Sequence, residues 1–256
     1  MRTSQIPSVA KTDIALGLRQ LGLNEGDGLL VHSSLSSLGY VHGGADTVID
    51  ALLEVVGKTG TVLVPTLTGT EHDGPEQPPI FDVRHSPCWT GRIPSTFLQR
   101  QEARRSLHPT HSIAGIGPMT AALTEGHEDC ITPCGPDSPY YRLAELGGYV
   151  LLIGIGQDSN TTVHTCEELA EVPYHLQSQP TDAVIIDYEG RRHIRRLTLH
   201  DWGTPRQFVR IDDELLRRGL MRVARVGNAN LRLIRSMAMI EWLVGVLREE
   251  PRYLCK

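Results

Sequence analysis

The chain has 256 residues, 40% of them apolar and 21% charged, a balance that supports a packed interior and argues against disorder. Its 25 basic and 30 acidic side chains give a formal charge of −5, which speaks against nucleic acid as the main partner because phosphate binding needs a basic surface. The longest apolar runs, GYVLLIGIG and TVLVP, are too short to span a bilayer.

The opening MRTSQIPSVAKTD lacks the apolar core of an export signal. Five cysteines at irregular spacings fit reduced thiols in the cytoplasm better than a disulfide framework. Cys130 and Cys134 flank ITP, but no second close pair follows, so they read as buried or incidental thiols rather than half a zinc site.

Along the chain, residues 11–22 place Ile14, Leu18 and Leu21 at helical intervals before a glycine, which predicts a short amphipathic helix. A strand over 26–34 runs into a serine-rich turn, a helix over 43–57 stops at Gly57, and 59–69 reads as a buried strand. That strand–helix–strand order predicts a crossover in a largely parallel sheet. Residues 70–94 hold five prolines and no clear period, so they form a long loop, of the kind that serves as a lid or binding segment. A helix over 94–103 leads to a strand, turn and strand over 104–117. Helices near 118–124 and 138–146 precede a strand over 148–156 and a helix carrying His164. Two alternating strands from residue 181 meet at Glu189–Gly190 as a hairpin. A helix over 205–218, short strands between 220 and 234 and an amphipathic helix over 236–249 complete the chain. The expected fold is α/β: a single domain over residues 1–256, with a mostly parallel central sheet flanked by helices and an antiparallel C-terminal portion.

Three segments carry chemistry. In SNTTVHTCEELAEVPYH (159–175) the helix starts at a strand's carboxyl end, where α/β folds place ligands, with Asn160 or Thr161 as its cap. Glu167 and Glu168 share the face of His164 at i+3 and i+4, and Glu171 extends the stripe. A carboxylate beside the imidazole fixes its tautomer and stabilises its charged form, as a general base requires. A solvated acidic face with an incidental histidine fits equally well. The turn VHSSLSSLGYVHGG (31–44) offers N–H groups and hydroxyls to an anion, or is an ordinary connection; His32 reads as a core residue. In RRSLHPTHSIAGIG (104–117), His108 and His111 lack a nearby carboxylate, which disfavours metal. Acids also dot the long loop at Glu71, Asp73, Glu76 and Asp82. If that loop folds over the His164 helix, the two sets form a negative cleft suited to a polyamine.

Taken together, LLVHSSLSSLG (29–39), GTVLVPT (60–66), RRSLHPTHSIAGIGP (104–118), DSP (137–139), GYVLLIGIGQDSNTTVHTCEELAEVPY (148–174) and VGNANLRLIRS (226–236) resemble the aminoglycoside N3-acetyltransferases, an antibiotic acetyltransferase family distinct from the GNAT fold. The resemblance spans nearly the whole chain, and N-T-T-x-H-x-x-E is its most specific motif. It lies nearest to members acting on apramycin- and gentamicin-type substrates.

The resemblance implies transfer of acetyl from acetyl-coenzyme A to the 3-amine of a 2-deoxystreptamine antibiotic, with no metal and with the chain acting as monomer or homodimer. It assigns His164 as the catalytic histidine and Glu167 as its orienting partner, with Asp201 as a further carboxylate at the site. It places the coenzyme along Ser33, Ser34, Leu35, Ser36, Ser37 and Leu38, with His111, Ser112 and Ile113 as the neighbouring wall. Glu71, Asp73, Glu168 and Glu171 are the expected antibiotic contacts. Such amines titrate near 8 to 10 and attack only when neutral, so a base is needed. Thr161 and nearby N–H groups are candidates to stabilise the oxyanion. The rival readings are an acetyltransferase for another amine, a metal-dependent amidohydrolase using His108, His111, His164 and Glu167, and a polyamine-binding module without catalysis.

Overall fold

The computed structural model describes residues 8–256; the stretch MRTSQIP, part of the segment read above as lacking an export signal, lies outside the described residues. Strand β1 (Ser8–Val9) leads into helix α1 (Lys11–Gln20), which buries Ile14, Ala15 and Leu18. Strand β2 (Gly28–Ser33) reads GLLVHS and is buried along nearly its whole length, as a central parallel strand must be. A single 3-10 turn at Leu35–Leu38 and the short β3 (Tyr40–Val41) precede helix α2 (Gly44–Val56), after which β4 (Thr61–Pro65) returns beside β2. The proline-rich loop holds a short strand, β5 (Ile80–Asp82), and ends in α3 (Arg92–Phe97). Next come β6 (Arg104–Arg105), β7 (Ile113–Ile116), α4 (Thr120–Thr124), α5 (Pro139–Glu145) and β8 (Tyr149–Ile153). Helix α6 (Thr162–Leu169) follows, then β9 (Thr181–Ile186), β10 (Arg192–Leu197), α7 (Asp212–Arg217), β11 (Met221–Val226), β12 (Ala229–Arg235) and α8 (Ser236–Glu249).

The main sheet has seven strands in the order β11-β12-β8-β2-β4-β7-β6. Its centre, β8-β2-β4, is parallel, while β12 and β11 on one side and β7 and β6 on the other are antiparallel. The antiparallel part is therefore not confined to the C-terminal strands. Strand periodicity divides the core between the two faces. Leu29 and Val31 of β2, Val62 and Val64 of β4, and Leu151 and Ile153 of β8 pack with α1 and α2. Leu30, Leu63, Val150 and Leu152 face the other way, onto α5, α6 and α8. Each such side chain contributes about 1.5–3 kcal/mol by leaving water, so the sheet carrying the site is rigid.

A second, three-stranded sheet runs β10-β9-β5. The β9–β10 hairpin matches its alternating sequence, but β5 joins β9 from a loop whose three-residue IFD segment has no period to read. The helix expected over 205–218 is regular only from residue 208, first as a 3-10 turn and then as α7; Arg206 bridges Cys255 instead, and the Pro205 carbonyl accepts the Lys256 N–H. No helix among the described residues is long and apolar enough to cross a membrane.

Candidate active site

The chain leaves β8 at Ile153 through Gly154, whose φ of 65° favours glycine. A Cβ here would overlap the Ser37 hydroxyl, so this glycine lets the serine turn lie on the β8–α6 connection. The side chain of Asn160 accepts a hydrogen bond from the Thr162 N–H at 3.1 Å, capping α6 and placing His164 in its first turn, at the carboxyl end of the central strand.

His164 Nδ1 lies 2.7 Å from Glu167 Oε2, one turn further along. The Glu167 side chain is fully enclosed, while that of His164 is 25% exposed. The same carboxylate oxygen lies 3.1 Å from His175 Nδ1, and the two rings stack with centroids 5.0 Å apart. Arg206 Nε approaches the other oxygen at 3.4 Å, and its Nη1 donates to the carbonyls of Asp201 and Thr204 at 2.9 Å. A backbone bridge between Leu176 and His200, with the Asp201 N–H donating to the His175 carbonyl at 2.7 Å, holds His175 and His200 side by side.

These contacts decide the proton inventory. Burial pushes the Glu167 carboxyl up, but the hydrogen bonds from His164 and His175 outweigh it and hold the group well below the usual carboxylate range. Burial also opposes charge on His175, yet its bonds to Glu167 and Glu168 win and raise its pKa. For His164 burial prevails over Glu167 and lowers it. The result is an ionised Glu167 and a neutral His164 that donates its Nδ1–H to the carboxylate and leaves Nε2 for the cleft. His32, behind His164, is lowered to about 3, by burial and then by the neighbouring His164.

His164 opens onto a cavity of about 680 Å³, also lined by Trp89, His111, Asp158, Thr161, Asp201 and Trp202. A groove of about 570 Å³ runs along Ser33, Ser34, Leu35 and Ser36 to Arg92 and the start of α2, and shares Ser33 and Gly91 with the cavity. Two neighbours in the serine turn do not face this groove. Ser37 donates its hydroxyl to the Ser34 carbonyl at 2.6 Å, and Leu38 is packed in the core. Of the expected wall, His111 lines the cavity, but Ser112 and Ile113 sit behind it. Ser112 is fully buried against Thr66 and Arg105, and Ile113 packs beneath the sheet. Arg105 is an internal brace whose pKa burial lowers to about 10.

The acids divide in the same way. Asp201 lines the cavity, but its Oδ1 accepts the Gly203 N–H at 2.7 Å, and the acid that touches His164 is Glu167. Asp73 caps the turn at Thr70 at 2.6 Å and borders a small recess sharing His111, His200 and Trp202 with the cavity. Glu71 stands in solvent beside His72 and lines neither space. Glu168 turns inward, accepting His200 Nε2 at 2.8 Å and the Cys134 N–H at 2.9 Å. Glu171 lies beyond the end of α6 in the left-handed region (φ 51°) and is exposed; this turn lets the Val172 N–H donate to the Glu167 carbonyl. The expected acidic stripe on α6 is therefore absent from the cleft. Sequence reasoning missed Asp158, in a single 3-10 turn over Gln157–Ser159, and His175, His200 and Arg206, which come from segments with no helical or strand period.

Among the described residues, two groups bring metal-capable atoms within 4.8 Å of one another: His164, His175 and His200, and His111, Cys134 and His200. The set expected for an amidohydrolase is not assembled. His108 is fully buried, and its Nδ1 accepts the His111 N–H at 2.9 Å.

The family described as Aminoglycoside 3-N-acetyltransferase matches residues 30–248. The chain belongs to the aminoglycoside 3-N-acetyltransferase family. It is accordingly an acyltransferase. Among curated relatives of this family, aminoglycoside N(3)-acetyltransferase VII of Streptomyces paromomycinus is 35% identical, over 75% of this chain and 70% of its own length. Aminoglycoside N(3)-acetyltransferase IV of Salmonella sp is 32% identical over 94% and 88%. A histidine-to-alanine mutant of aminoglycoside acetyltransferase AAC(3)-IVa, solved in complex with a gentamicin, superposes with a TM-score of 0.83 at 30% identity, covering 98% and 93% of the two chains. AAC-IIIb, solved as a binary complex with CoASH, gives 0.81 at 28% identity over 95% and 97%.

Proposed function

We propose that this acyltransferase moves acetyl from acetyl-coenzyme A directly to the 3-amine of a 2-deoxystreptamine antibiotic, conferring resistance, with residues 1–256 acting as one catalytic unit and His164 as general base. The observation that carries this reading is an imidazole, anchored at 2.7 Å to a buried carboxylate, on the wall of a cavity that shares Ser33 and Gly91 with the serine-lined groove. The complexes of related enzymes with CoASH and with a gentamicin support the choice of both substrates.

In this reading the coenzyme lies along Ser33 to Ser36, and its thioester reaches the cavity past Ser33 and Gly91. The antibiotic's ammonium groups meet Asp158 and Asp201, with Asp73 at the adjoining recess. The reacting ammonium first loses a proton to solvent. The neutral nitrogen then attacks the thioester carbonyl while His164 Nε2 takes its second proton. The resulting imidazolium is stabilised by Glu167 and returns that proton to sulfur as the carbon–sulfur bond breaks. The products are the amide, coenzyme A thiol and one proton in solution. Holding both reactants in one cavity supplies a large share of the acceleration, and the base contributes about 10²–10⁴-fold.

The test is to follow thiol release from acetyl-coenzyme A with a panel of aminoglycosides and simple amines. Release that requires a 2-deoxystreptamine acceptor and yields the 3-N-acetyl product is expected. Efficient turnover of simple amines alone would contradict the assignment.

A further inference from the structure

Acetyl transfer as derived above leaves Cys134 without a task. This cysteine is fully buried, yet it lies against the inner wall of the cleft, with its sulfur and one ring nitrogen each of His111 and His200 within 4.8 Å of one another. His111 and His200 both line the cavity, so the group is reachable from it.

One nitrogen of each imidazole is already held. His111 Nδ1 lies 2.9 Å from the Thr110 hydroxyl, and His200 Nε2 lies 2.8 Å from Glu168 Oε1. The same carboxylate oxygen accepts the Cys134 N–H at 2.9 Å. His111 Nε2 and His200 Nδ1 are left as the available nitrogens. A histidine whose other nitrogen is held by a carboxylate or hydroxyl is the arrangement that orients metal ligands. The two rings meet edge to face at 66° with centroids 4.4 Å apart, so they are not parallel and side-chain rotation can turn a nitrogen of each toward one ion. The alternative group is poorer in this respect, because His164 and His175 are stacked at 20° and nearly parallel rings cannot easily aim at one point. One buried polar atom beside the Cys134 group, Glu168 Oε2, has no hydrogen-bond partner among the described residues. Such atoms are rare in folded chains and mark the place of a water or an ion.

We propose that His111, Cys134 and His200 form a site for a zinc-class transition cation in the inner wall of the cleft, with the fourth coordination position open to the cavity. Two imidazoles and a thiolate suit zinc or cobalt and disfavour magnesium or calcium, which prefer oxygen. Zinc bonds of about 2.0–2.3 Å set tetrahedral ligand atoms about 3.3–3.8 Å apart, so modest side-chain rotations complete the site. On binding, the Cys134 thiol releases its proton to solvent and its sulfur electron pair bonds the cation. No change of oxidation state is involved, and the cation is no part of the acetyl-transfer steps above.

The experiment titrates the purified full chain with Co²⁺, following the thiolate-to-cobalt charge-transfer band and proton release together. The expected result is one cobalt and one proton per chain, displaced by Zn²⁺ and reversed by a chelator. Cys134→Ser and Cys134→Ala each abolish the band while leaving metal-free acetyl transfer unchanged, and His200→Asn weakens cobalt binding at least tenfold. The proposal is overturned by absence of stoichiometric binding to the wild-type chain, or by a charge-transfer band that survives Cys134→Ala. Cobalt bound without a thiolate band also overturns it, since that places the ion on histidines alone.

Discussion

Two places among the described residues set an imidazole, a carboxylate and a guanidinium at similar distances, and they differ in how far the partners of the carboxylate are covered. In the cleft, Glu167 holds His164 at 2.7 Å and Arg206 at 3.4 Å. In the β9–β10 hairpin, Asp187 holds His193 at 2.7 Å and Arg191 at 2.9 Å. Both carboxylates are covered, but Arg206 is 13% and His164 25% exposed in the cleft, whereas Arg191 is 68% and His193 35% exposed in the hairpin. Asp187 also accepts the Glu189 and Arg191 N–H groups, so it caps a turn. Its pKa is depressed by the His193 bond and these caps, yet water screens the pair. Contact geometry alone therefore does not distinguish a proton-transfer group from a surface network. Cover over the partners, a second histidine and the size of the adjoining cavity do, about 680 Å³ at His164 against about 230 Å³ beside the hairpin.

The largest expected effect comes from removing the cleft imidazole. His164→Ala lowers turnover by about 10²–10⁴-fold, the range of a lost general base, while coenzyme A affinity, measured by calorimetry, stays near wild type. Turnover close to wild type would reduce the cleft group to the status of the hairpin.

Glu167→Gln follows. It removes the carboxylate that faces Arg206 and one of the two that face His175, at a cost of about 3–5 kcal/mol, read by denaturant unfolding. The pH window follows from the shifts. Glu167 is depressed, so its contribution is present above the ordinary value of 4.5 and is lost as pH falls toward its folded value. His175 is raised, so its contribution is present below 6.5 and is lost as pH rises through its folded value. The stability gap between wild type and Glu167→Gln is thus widest between pH 4.5 and 6.5. A gap independent of pH would show that the cleft charges are screened like those of the hairpin.

The smallest effect is His193→Ala. Turnover and its pH profile stay at wild-type values, and the unfolding midpoint moves far less than in Glu167→Gln. A loss of activity here would dissolve the distinction between the two networks.

Much of this arrangement can be read in the chain before folding, and the remainder has a physical reason for being hidden. The central strands announce themselves because GLLVHS and TVLVP are apolar on both faces. His164 and Glu167 are adjacent because three residues make nearly one helical turn. Spacing cannot say which side of α6 is interior, so Glu168, at i+4, reads as a cleft acid although it turns toward Cys134 and His200. Glu171 reads as part of the stripe because no glycine marks the helix end at Leu169, although Pro173 signals a stop within one further turn. His175, His200 and Arg206 come from irregular segments aligned only by long-range backbone pairing, and no local period encodes that.

The central claim is that His164 stands neutral at pH 7 with its proton on Nδ1 toward Glu167, leaving Nε2 to accept the proton of the attacking amine. Nitrogen-15 NMR of the imidazole groups, with His164 assigned by comparison with His164→Ala, measures this directly. The account predicts a protonated Nδ1 and a bare Nε2 at pH 7, with titration below the ordinary value of 6.5. A doubly protonated ring at pH 7, or a proton resident on Nε2, would contradict it.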